Sequence, residues 1–214
     1  MRISSLLGSF IALAWLGASG VAAADPIGVG DDDCSTCQGS IYELLYDPIP
    51  VSGNGTTTYE ITLRIDTSGY DGDGVRIGEV AFKVSPSLDA VTLLDAPGGA
   101  GEWSAILGGI NANGCQDNAN SGFACTSSQS ETVATVPDGV YEWVFHVGVP
   151  TPQDLFTEMF QASVKARYLD AEGNKTGDLV SENITLQPIP EPGIVLLLGT
   201  GLTGLLVIGR PRRA

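Results

Sequence analysis

An all-β fold, specifically an antiparallel β-sandwich, is predicted for residues 40–187, on three observations. Apolar and polar residues alternate with a period of two in several stretches, most clearly in "TTTYEITLRID" and "GVYEWVFHVGV". Short segments rich in Gly, Asn and Asp separate these stretches, as turns between strands require. Helical periodicity is almost absent, and no repeat at a solenoid or propeller period is visible.

In chain order, "SIYELLYD" is the first strand candidate. "TTTYEITLRID" follows, with Tyr59, Ile61, Leu63 and Ile65 on one face and Glu60, Thr62 and Arg64 on the other. "VRIGEVAFKV", "AVTLLDA" and "GEWSAIL" come next. "ETVATV" is predicted to pair with "GVYEWVFHVGV" through the turn Pro137-Asp138-Gly139, turning Tyr141, Trp143, Phe145 and Val147 inward. "TPQDLFTEMF" could form a short helix, with Thr151 as N-cap and Pro152 at its first position. "ASVKARYLD" and "LVSENITL" form a hairpin around Glu172-Gly173-Asn174.

The two ends carry different signals. Arg2, an uncharged run from Ile3 to Val21 and the triplet Ala22-Ala23-Ala24 form a signal peptide over 1–24, cut by signal peptidase before Asp25 after passage through the general secretion machinery. An acidic, cysteine-containing segment, 25–39, then leads to the sandwich. All 25 acids lie between Asp25 and Glu191 and face only six bases there, a net charge of −19. Such a surface repels phosphate backbones, so no nucleic-acid partner is expected, nor peripheral docking on anionic lipid.

Export leads to an oxidising compartment, and the four cysteines fall into two local pairs, Cys34 with Cys37 and Cys115 with Cys125, each read as a disulfide. A redox role for Cys34-Ser35-Thr36-Cys37 would call for a βαβ unit that the flanks do not supply. Zinc binding by all four is opposed by the same oxidising destination.

Catalytic chemistry finds little support, and the chain is read as not an enzyme. Its one histidine, His146, falls on the strand face opposite Trp143 and Phe145, where solvent exposure explains it better than a triad would. No cofactor is required, although calcium is an option in "YDGDGVRIGE", where Asp71, Asp73 and Glu79 could converge around glycine-permitted turns. A plain Asp-Gly turn explains the same letters. Tyr70, Trp103 and Phe123 could stack on sugar rings if exposed; core packing is the competing explanation.

The segment 188–214 reads as three parts: the motif 190–192, an apolar helix over 193–209, and a basic tail, 210–214. Seventeen uncharged residues make a helix of roughly 25 Å, enough for a transmembrane span with modest thinning of the bilayer. Arg210, Arg212 and Arg213 would remain cytoplasmic. Pro190-Glu191-Pro192, the apolar run and the arginines together resemble the PEP-CTERM sorting signal of Gram-negative bacteria. The resemblance covers only 188–214. It implies an exosortase as partner, with the chain anchored in the inner membrane before processing and then delivered to the cell surface or outside. It also implies association with exopolysaccharide and biofilm. The expected function is a structural or adhesive matrix protein, with a carbohydrate-binding module or a secreted hydrolase as the alternatives.

Overall fold

The structure is a computed structural model that describes residues 26–189, apart from 29–33, 48–49, 54, 118–121 and 138. The signal peptide, the sorting motif Pro190-Glu191-Pro192, the apolar run and the terminal arginines lie outside the described residues. Among the described residues no helix is long and apolar enough to cross a membrane.

Two sheets face each other. The first has the order β13-β1-β3-β10-β5, built from Leu186–Pro188, Ile41–Tyr46, Thr56–Asp66, Val140–Pro150 and Ala90–Asp95, with the short β2 (Val51–Gly53) on the end of β3. The second has the order β12-β11-β4-β9-β6, from Lys175–Ile184, Ala162–Leu169, Arg76–Lys83, Phe123–Ser128 and Trp103–Leu107. A separate hairpin pairs β7 (Gly109–Asn111) with β8 (Gly114–Gln116). All these pairings are antiparallel except β1 with β13. The chain steps from one sheet to the other between Ile184 and Leu186, closing one side of the sandwich.

The alternation read in β3 and β10 is the alternation of burial. Ile61, Leu63, Ile65, Trp143, Phe145 and Val147 are all fully buried between the sheets. Removing each such side chain from water contributes about 1.5–3 kcal/mol, which makes register costly to shift by one residue. Rings lock the layers: Phe82 meets Phe145 at 4.9 Å and Trp103 meets Trp143 at 5.3 Å, both edge to face, while Tyr70 stacks on Tyr168 at 4.4 Å. The Tyr42 and Tyr168 hydroxyls lie 2.5 Å apart in this core, and burial, reinforced by Tyr168, pushes the Tyr42 phenol well above its ordinary range. Ile27 exchanges two backbone hydrogen bonds with Tyr42, and Cys37 is buried, so parts of 25–39 belong to the sandwich.

Two predicted elements differ. "ETVATV" is not a strand: Thr135 makes an isolated bridge to Arg76, Ala134 takes a positive φ of 52°, and the Thr132 amide donates to the Ser130 hydroxyl, which also lies 3.1 Å from the Thr132 hydroxyl. Those side-chain hydrogen bonds compete with a ladder. "TPQDLFTEMF" is not a helix. Its Phe156 amide donates to the Val84 carbonyl, Leu155 is buried, and Asp154 accepts from the Tyr59 hydroxyl at 2.8 Å, tying the segment across the sandwich end. The strand β9 escaped the sequence reading because Phe123, Ala124, Cys125 and Thr126 are buried on both faces, which erases alternation. The three-residue strands β2, β7 and β8 are too short to carry a periodic signal.

Candidate functional site

Strands β4, β11 and β9 send one set of side chains into the core and the other to the outer face of their sheet. On that face Arg167 lies opposite Glu79, Lys165 opposite Ala81, Ala81 opposite Cys125 and Lys83 opposite Phe123. The β7–β8 hairpin folds over part of it. Ile110 joins Ala81, Phe123 and Cys125 in a second, small apolar cluster, and the Cys115–Cys125 disulfide, with a Cα separation of 5.7 Å, ties β8 to β9.

A buried ion pair supports the hairpin from below. Arg167 Nη1 donates to Glu79 Oε2 at 2.6 Å, and its Nη2 donates to the Asn111 carbonyl. The Cys115 amide also donates to Glu79. Burial raises the Glu79 carboxyl above the ordinary glutamate range, against the opposing pull of Arg167, Lys175 and the Cys115 amide. Position 114 has to be glycine here. Its φ is 108°, and a Cβ would stand 2.4 Å from Glu79 Oε1.

Beside the hairpin, Lys165 Nζ sits 5.1 Å from the centre of the Phe123 ring and Lys83 Nζ 5.9 Å from it. Both stems lie half-buried while the ring beneath is buried. Two of the six bases of the acidic span thus meet over one ring, with Arg167 on the same face and Lys175 near enough to act on Glu79. Two ammonium groups held in this way can grip a carboxylate or sulfate. The pattern was available in the sequence, since Lys165 and Arg167 alternate with Val164, Ala166 and Tyr168, but the ring from β9 was not.

The other predicted site residues are scattered. Asp71 and Asp73 are exposed in the loop before β4, whereas Glu79 is occupied by Arg167. Among the described residues no group of three or more His, Cys, Asp or Glu is placed to hold a metal ion. Cys34 and Cys37 are bonded, with the loop held to β12 by the Thr36 hydroxyl donating to Glu182 at 2.6 Å. His146 is exposed, its Nε2 3.5 Å from a Glu60 carboxylate oxygen. Tyr70, Trp103 and Phe123 are all buried, so these three rings do not form an exposed platform, and the Trp103 indole donates to the Pro97 carbonyl at 2.8 Å.

No family model matches the chain, and no curated protein matches it in sequence. Among solved structures, it is similar to an uncharacterized protein from Nocardia farcinica described as having an immunoglobulin-like fold. The identity is 12%, the match covers 64% of this chain and 82% of that one, and the TM-score is 0.35.

Proposed function

We propose that this chain is an exported, disulfide-pinned β-sandwich that serves as a structural or adhesive element in an exopolysaccharide matrix, delivered there through its PEP-CTERM-like tail. The observation that carries the adhesive part is the pair of lysines over Phe123. The two disulfides suit an oxidising destination. A net charge of −19 over the span from Asp25 to Glu191 keeps the domain soluble and repels polyanions at long range. Screening confines that repulsion to about 8 Å at physiological ionic strength, so a local cluster of cations can still hold an acidic saccharide. The carbohydrate-binding reading accordingly moves from ring stacking on Tyr70, Trp103 and Phe123 to charge recognition at Lys83 and Lys165.

Co-sedimentation with a uronate-containing polysaccharide tests this. The purified protein should pellet with the polymer, and binding should weaken as salt is added. The double variant Lys83→Gln, Lys165→Gln, which keeps most of each stem over Phe123, should stay in the supernatant while keeping the parent's melting temperature. Equal binding by parent and variant would remove these lysines from the adhesive surface.

A further inference from the structure

We infer that the end of the sandwich carrying the turn between β2 and β3 is seated against the bilayer, with Met159 and Phe160 immersed in its interface. The inference rests on the proposed reading of 193–209 as a membrane segment and adds the orientation of the domain upon it.

Tether length is the first argument. β13 runs parallel to β1, with Pro188 opposite Tyr46, and the Ile189 amide still donates to the Tyr46 carbonyl at 2.8 Å. Tyr46 in turn pairs with Ile61, five residues of β3 below Thr56, a rise of about 17 Å. The chain leaves toward the Thr56 end. Only four Cα–Cα steps lead from Ile189, the last hydrogen-bonded residue, to Gly193, and they span at most about 14 Å. The apolar run therefore begins no farther out than the end of the sandwich itself, and a domain tethered so closely cannot stand clear of the surface.

The second argument is independent of the tail. β10 reaches this same end, where Pro150 lies opposite Thr56, and the segment 151–161 crosses it before β11 begins. Met159 is 67% exposed, Phe160 48% and Val51, in β2, 73%; the first and last are the most exposed large apolar side chains among the described residues. Side chains of this kind gain by entering the zone of about 5–7 Å between hydrocarbon and water. The acids of this end are engaged with neighbours: Asp154 accepts from Tyr59, Glu158 from Gln161 and Asp89 from Thr56. The contact is apolar and calls for no anionic headgroup.

The test uses the mature chain, 25–214, reconstituted in phosphatidylcholine vesicles and carrying an environment-sensitive fluorophore on Met159→Cys. The control carries it on Val140→Cys, at the opposite end and also exposed. Co-flotation with a blue-shifted, brighter signal at 159 and an aqueous signal at 140 is expected. Co-flotation with both probes equally aqueous would overturn this orientation while leaving the anchor intact. Absence of flotation would overturn the anchor and the orientation together. A shift at 159 that grows with protein concentration in lipid-free detergent would assign the patch to a second copy of the chain instead.

Discussion

The space between the sheets and the outer face of the five-stranded sheet both bury apolar side chains, yet they are held by different means. Among the described residues, thirty buried ones make the inner core, and no disulfide or ion pair links its facing strands. Four make the outer cluster beneath the β7–β8 hairpin, together with Ile106 and Cys115. A cluster that small cannot offset the entropy of ordering a hairpin, and there the chain adds a covalent link and a buried Arg167–Glu79 pair. Burial area stabilises the large region; directed contacts position the small one.

The sharpest contrast comes from Trp143→Ala, which opens a cavity at the centre of the inner core and should cost about 3–5 kcal/mol in urea unfolding. A cost near 1 kcal/mol would mean the sheets close around the gap. Replacing Cys115 and Cys125 together by serine should cost roughly 2–3 kcal/mol, as expected for a loop of this length. Amide exchange should then accelerate across β7 and β8 but not in β3 or β10. Uniform acceleration would erase the distinction between the regions.

The smallest effect is electrostatic. Because Glu79 binds its proton more tightly folded than unfolded, its contribution to stability is fully present below the ordinary glutamate value and declines as pH rises through the raised, folded value. Glu79→Gln should flatten that part of the stability curve, which begins at the ordinary glutamate value and extends above it. An unchanged slope would show that the Arg167 pair fully compensates for burial.

Much of the fold was legible. The faces of β3 and β10 follow directly from alternation, because one side of each strand meets the core and the other meets water. β9 was illegible for the opposite reason, having cover on both sides. "TPQDLFTEMF" carries helix-start letters that lose to tertiary bonds from Val84 and Tyr59. At the candidate site, Lys83 and Lys165 were visible only as two scarce bases, since what unites them is a ring contributed from 40 residues beyond Lys83.

By itself, then, the sequence determined the all-β class, the inward residues of the long strands and the two local cysteine pairs. These depend on period-two spacing and short loops, which neighbouring residues alone can specify. Tertiary structure decided the order of strands, the burial of Tyr70, Trp103 and Phe123, and the pairing of Glu79 with Arg167, 88 residues away. Such contacts are selected by how whole faces pack and by the need to satisfy a buried charge, and no local window of residues contains that information.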